Sequence, residues 1–540
     1  MESNKRPRYY DASDGEDDVA DVGRDDAPSA ENAGMEQLLN SAEDVDEVDA
    51  ASVRAMASSL KKALKSNQKM RMKHADDPAQ FVDSEVELDE CLTRMHAIAS
   101  APEHYHVLVD AGGVPALVEC LRHDNTDIII EAIDLVKELT DPDLVEDASE
   151  ALALVEAFTG SQGLEVLVDN MRRLDESQPE DEAAIHDSLA IMENLMEARP
   201  SVAAEIAKRT TLLGWLLSRV KRAKEFNQNT LYASEILSIL LMQGGVTAEA
   251  LAKLDGMDAL LVGAAAFRKL DPQSAEQGEL CANVFNCLCS ALNADSANKQ
   301  VFCDAEGVEL MLFVLRERAA FARKYVVRVL SFAMDRSAAS CQKSVEAGGL
   351  KFLFPVFMAT GSHKHYSKAE VKAEAEHAIS LVASLMTLIP ATDRSHQRLL
   401  AKFSEQSFEK TDRLMELFET YTLRLRAFET DAEDPDEIYL NRIDAGLFVL
   451  QQLCMLMVPL LACAPIRGHI FELLNQNAHN LLLSDAKAVL AEYAENVGDA
   501  LPASEREAER AKVQSLAQQM AALLPAEPAA ADADATEMTE

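Results

Sequence analysis

The stretch that decides the fold is DAGGVPALVECLRHDNTDIIIEAIDLVKELTD, Asp110–Asp141. Gly112 and Gly113 permit a sharp bend, and Pro115 falls in the first turn of the helix that follows, where a missing N–H costs nothing. Asn125 and Thr126 offer caps for a second, longer helix. On that helix Ile129, Ala132, Ile133, Val136 and Leu139 recur at three- and four-residue spacing, the signature of one buried face. The segment is a bend, a short apolar helix, a polar link and a long amphipathic helix.

The same punctuation returns along the chain. VDAGGV at 109–114, CDAEGV at 303–308 and VEAGGL at 345–350 align without gaps, and weaker copies begin at Gly163–Leu164, Thr211–Leu212 and Gly256–Met257. Successive copies are about 50, 48, 45, 51 and 42 residues apart, near the roughly 40 to 47 of HEAT and armadillo units. One such unit has too much apolar surface to stand alone, and stacking buries it in a continuous core. The expected fold is therefore all-α: an armadillo/HEAT-type, right-handed superhelical solenoid with helical caps, six units and two caps filling the length. Alternating β-branched runs are missing, so strand is expected to be nearly absent.

Composition divides the chain further. Residues 1–50 carry sixteen Asp or Glu against Lys5, Arg6, Arg8 and Arg24, with almost no apolar period, and read as a disordered acidic tail with a basic cluster. Residues 51–110 read as an N-terminal helical cap, in which Val53, Met56, Leu60 and Leu64 lie beside Lys61, Lys62, Lys65, Lys69, Arg71 and Lys73. That basic helix is read as a cap ahead of a partner site. Repeats are expected over 111–390, C-terminal helical repeats or a cap over 391–501, and an Ala- and acid-rich tail over 502–540, helical around Glu505–Leu524 and then disordered.

The 540 residues include 92 acidic and 51 basic side chains, a formal net charge of -41. Such a field repels phosphates, which argues against direct nucleic-acid binding, and attracts basic partners. No signal peptide and no apolar run of about 18 residues is evident, so a soluble protein of a reducing compartment, without membrane contact, is expected. The nine Cys lack metal spacing; Cys281, Cys287 and Cys289 fall on one helix and read as core fillers. The pairs His104/His106 and His363/His365 read as solvated. No P-loop, G-x-S-x-G, G-x-G-x-x-G or H-E-x-x-H occurs, so no enzyme, cofactor or metal is expected.

KRPR at 5–8, HDNTD at 123–127, RLDES at 173–177, DRLMEL at 412–417, RIDAGLFVLQ at 442–451 and EYAENVGD at 492–499 occur in this order over nearly the whole chain. Together they resemble the family of beta-catenin-like protein 1. The resemblance departs at Thr211, where the family pattern suggests glycine, and in the Ala-rich extension after Asp499. It implies a nuclear armadillo scaffold associated with the spliceosome through the nineteen complex, binding nuclear-localisation-type basic segments of splicing partners in pre-mRNA splicing. It also strengthens the reading of Lys5, Arg6, Pro7 and Arg8 as a nuclear localisation signal taken by an import receptor.

In armadillo proteins the last helix of each unit lines the binding groove. By analogy with import receptors, Asp134 and Glu138 hold the positions of their Trp and Asn ladder. The same offsets give Ala190 with Asn194, then Glu235 with Ile239, so that ladder is not kept. Glu131, Asp134 and Glu138 instead form a carboxylate stripe at i, i+3 and i+7, an arrangement a helix tolerates or uses. Glu131, Asp134, Glu138, Asn194 and Glu235 are thus the candidate residues for a basic peptide. A nuclear transport adaptor, and a purely structural scaffold without a peptide groove, are the rival readings. Self-association is left open.

Overall fold

The computed structural model of the protein describes residues 48–523, apart from 146, 270, 318–320, 361–365 and 499–501. Lys5, Arg6, Pro7 and Arg8, the acidic segment around them, His363, His365 and the final residues lie outside that set. Among the described residues there are helices, turns and links and no strand.

The unit read from Asp110–Asp141 is a helix triplet. Tyr105–Asp110 leads into Gly113–Leu121, and Thr126–Leu139 closes it. The long helix forms because its apolar residues share one face: Ile128, Ile129, Ala132, Ile133, Leu135, Val136 and Leu139 are all buried. It starts where the Asn125 side chain accepts a hydrogen bond from the Asp127 amide at 3.0 Å, and ends at Thr140, whose hydroxyl turns back to the Val136 carbonyl at 2.9 Å. Among the described residues six triplets run from Tyr105 to Leu388.

The long helices stack into one ladder. Val82–Met95, Thr126–Leu139, Pro179–Ala198, Gln228–Met242, Ala275–Ala294, Arg323–Met334, Lys368–Leu388 and Phe448–Ala462 each pack against the next. That succession is the repeat solenoid expected from the sequence, its core passing unbroken from unit to unit.

The bend between the first two helices corrects the sequence reading of its glycines. Left-handed backbone is needed at one position only, and it is held by Gly112 (φ 68°), but also by Gln162, Asp255 and Glu306. The glycine that follows answers a different need. A Cβ on Gly113 would stand 2.2 Å from the Leu108 side chain, and one on Gly256 2.2 Å from that of Leu251. This glycine recurs because two helices meet there without room for a side chain. At Thr211 the backbone is right-handed (φ -96°) and Leu212 begins the helix, so the third unit makes its turn without glycine.

The basic helix, Ala50–Lys73, lies on Val82–Met95 and on Gly113–Leu121 as an end cap. Its buried Asn67 donates to Ser84 Oγ at 3.1 Å and pairs with His123 Nε2 at 3.0 Å. Lys61 Nζ donates to the Ala111 carbonyl, and Arg71 bridges Glu85 and Asp124. At the other end, Leu483–Glu495 and Ala503–Leu523 pack on Phe448–Ala462. Arg336 Nη1 fastens the last helix to the fifth triplet through Glu505 at 2.9 Å.

The expectation that no apolar run reaches about 18 residues does not hold. The helical stretch Pro435–Ala462, bent at Gly446, is long and apolar enough to cross a membrane, and 83% of its apolar window is buried inside the protein. It packs against Glu409–Arg426, Lys368–Leu388 and Leu483–Glu495, so its apolar perimeter is that of a helix surrounded by others. Eight of the nine Cys are buried; burial pushes the Cys120 and Cys289 thiols up to about 12, which keeps them protonated.

Candidate peptide-binding site

The ladder turns a band of carboxylates to one side over its first five helices. On Val82–Met95, burial first, then the neighbouring Glu131, Asp127 and Glu90, raises the Asp89 carboxyl above its ordinary value. Thr93 Oγ1 donates to Glu131 Oε1 at 2.7 Å. Glu131 and Glu138 converge on one imidazole: His96 lies 3.6 Å from Glu131 through Nε2 and is hydrogen-bonded to Glu138 through Nδ1. Asp134, with 53% of its side chain exposed, is 3.9 Å from Lys137, which reaches across to Asp187 of the next long helix at 2.8 Å.

One helix on, the band continues through residues the offsets missed. Tyr232 donates to Glu193 Oε2 at 2.7 Å, and its ring lies 4.8 Å from that of His186. Burial, with Glu279 and Glu193 as charged neighbours, pushes the Glu235 carboxyl up to about 7. Three consecutive long helices therefore bring Glu193, Glu235 and Glu279 close enough to repel one another.

The structure thus joins Glu131 to Glu138 through His96 and places Asp134 beside them at the surface. It puts Glu235 in a separate carboxylate group. Asn194 belongs to neither; its Nδ2 donates to Thr140 Oγ1 at 3.4 Å, tying two long helices together. Asp187, Glu193 and Glu279 escaped sequence reading because the offset was carried between helices of unequal length. Thr126–Leu139 has 14 residues and Pro179–Ala198 has 20, so equal steps from the caps do not reach equal places on the ladder.

Across Ala275–Ala294 the chemistry changes. Asn283 Nδ2 donates to Ser234 Oγ at 3.1 Å, and Arg328 Nη1 to Asn286 Oδ1 at 2.9 Å. Burial, with Arg328 nearby, lowers His377 to about 4. A cavity of about 330 Å³ follows, lined by Ser331, Ser384, Gln452 and others and walled by Glu509 and Lys512 of the last helix. Of the two histidine pairs only 104/106 is described; there His106 is exposed, and its amide and Nδ1 are held by Glu150 at 2.7 and 3.0 Å.

Stacked three-helix units with a shared ladder of long helices define an armadillo-type α-solenoid. Within that class the comparisons are specific. A sequence profile of the family described as "Catenin-beta-like, Arm-motif containing nuclear" matches residues 33–491, and the chain belongs to that family. It is 37% identical to beta-catenin-like protein 1 of Homo sapiens over 490 residues, covering 87% of this chain and 86% of that protein. It is 31% identical to the beta-catenin-like protein 1 homolog of Schizosaccharomyces pombe over 417 residues, covering 75% and 72%. Similar solved structures include an engineered protein (TM-score 0.44, 16% identity, 86% of this chain and 98% of that one). A designed armadillo repeat protein is another (TM-score 0.34, 17% identity, 52% and 99%).

Proposed function

We propose that this chain is a non-catalytic nuclear scaffold of the splicing machinery whose carboxylate band holds basic, nuclear-localisation-type segments of partner proteins. The splicing assignment rests on the family resemblance, and the nuclear one also on the family's description. Lys5, Arg6, Pro7 and Arg8 are proposed as the import signal. The binding mode rests on one observation: adjacent long helices set Glu279 and Glu193 beside Glu235, whose carboxyl is pushed up to about 7 by burial first and then by those two charges. Lys and Arg side chains laid along that band would relieve the repulsion, and the net charge of -41 raises the local concentration of cations.

The first triplet offers Asp134 at the surface and Glu131 and Glu138 shared with His96, whose place a Lys or Arg side chain would take. Each exposed pair contributes at most about 1 kcal/mol, so affinity must come from several pairs and fall as salt rises. The test replaces Asp134 and Glu138 with Lys and titrates a basic segment of a splicing partner at two salt concentrations. Binding should weaken more than tenfold, about 1.4 kcal/mol, and the salt dependence should flatten. Unchanged affinity, with melting temperature preserved, would mean that the stripe is a solvated face and would favour a purely structural scaffold.

A further inference from the structure

The carboxylate band explains attraction to cations but not which basic segment is preferred. An apolar feature lies within one helical turn of it. Thr126–Leu139 and Pro179–Ala198 end side by side, and Thr140, Pro142 and Val145 of the following link lie against Ala148–Gly160 around a cavity of about 220 Å³. Its walls are Leu139, Pro142, Val145, Ala151, Leu154 and Val155; Thr140 and Glu197 supply the polar edge. Two further large aliphatic side chains of this region stay in water, Leu144 with 41% exposure and Leu152 with 37%.

The link is shaped by its own hydrogen bonds: the Asp143 amide donates to Asp141 Oδ1 at 3.0 Å and the Leu144 amide to the Asp141 carbonyl at 3.2 Å. The cavity is side-chain sized, smaller than the roughly 300 to 1,000 Å³ of small-molecule sites. Its lining includes no Lys or Arg. Along the chain its walls are flanked by Glu138, Asp141 and Asp143, and the Asn194–Thr140 hydrogen bond joins its edge to both acidic helices. Exposed aliphatic side chains beside a concave apolar site suit a docking position, and Glu197 at its edge, with acidic residues flanking its walls along the chain, disfavours an acidic occupant.

We infer that this cavity seats one aliphatic side chain, Leu, Ile, Val or Met, of a basic segment whose neighbouring Lys or Arg residues lie on the carboxylate band. The inference rests on the proposed basic-segment binding and adds to it a requirement on the segment's sequence. Cations set the attraction and its salt dependence; the aliphatic residue fixes the register along the ladder, because it must enter this apolar cavity beside the carboxylates.

The test uses the full chain and two synthetic peptides: a Lys/Arg run carrying one Leu beside it, and the same peptide with that Leu replaced by Ser. Fluorescence anisotropy at two salt concentrations is read for the unaltered chain, for Ala151→Trp, which fills the cavity mouth, and for the Asp134→Lys, Glu138→Lys double variant. The Leu peptide should bind the unaltered chain at least tenfold more tightly than the Ser peptide, with the same salt slope. Ala151→Trp should erase that difference, and the double variant should weaken both peptides.

Equal affinity of the two peptides for the unaltered chain, with both weakened by the double variant, would overturn the cavity and leave the carboxylate band standing. No salt-dependent binding of either peptide would overturn both. The comparison on the unaltered chain decides the question even where Ala151→Trp fails to fold.

Discussion

Replacing Glu235 with Gln should stabilise the protein above neutral pH and leave it unchanged in acid. In the fold this carboxyl is moved from 4.5 to about 7 by burial and by the charges of Glu279 and Glu193. A carboxyl raised in the folded state binds its proton more tightly there than in the unfolded chain. Between about 4.5 and 7 the fold therefore holds a proton that the unfolded chain has lost, and stability falls as pH rises through that window, to stay low above it. Unscreened, the displacement would cost about 3 kcal/mol; the side chain is only partly buried, and solvent screening reduces this to about 1–2 kcal/mol. Gln keeps the shape and cannot ionise, so it removes the cost.

The assay is urea unfolding of wild type and Glu235→Gln from pH 4 to 8. The difference should be near zero at pH 4 and grow to about 1–2 kcal/mol by pH 8. A variant equally or less stable at pH 8 would show that burial and the charges of Glu279 and Glu193 do not raise this carboxyl. The same carboxyl links pH to the proposed binding: a cation placed beside Glu235 ionises it and releases its proton. Peptide affinity should thus fall as pH drops below about 7, and this pH dependence should be lost in the Gln variant.

Two further predictions concern the fold. Gly113→Ala places a methyl 2.2 Å from Leu108 and should cost about 1–3 kcal/mol in urea unfolding, whereas Gly160→Ala, with nothing within 4 Å, should not destabilise. Lys299 is buried and lies 3.1 Å from Asp335, and burial, its largest influence, lowers its pKa. Asp335→Ala removes the carboxylate and leaves that ammonium its hydrogen bond to the carbonyl of residue 335 at 2.7 Å, and should cost about 3–5 kcal/mol. Lys299→Met should be milder, since Asp335 keeps Arg336 at 2.9 Å; equal losses from the two would refute the argument.

The sequence by itself determined the repeat. Apolar spacing in Thr126–Leu139, the Asn125 cap and the recurring glycine are local features, and local features survive being read one residue at a time. It also marked Glu131, Asp134 and Glu138, because like charges at helical spacing share a face whatever lies opposite. It could not supply His96 as the partner of Glu131 and Glu138, nor the meeting of Glu193, Glu235 and Glu279. Those contacts cross between helices of unequal length, and only stacking sets their registers. The glycine after the bend was legible, but its cause was not: that Gly113 faces Leu108 with no room for a methyl is a distance between two helices. Burial was likewise decided by the tertiary structure. The same apolar composition that would let Pro435–Ala462 cross a membrane is here enclosed by neighbouring helices, and the Glu235 carboxyl is raised because the fold partly buries it and sets Glu279 and Glu193 beside it.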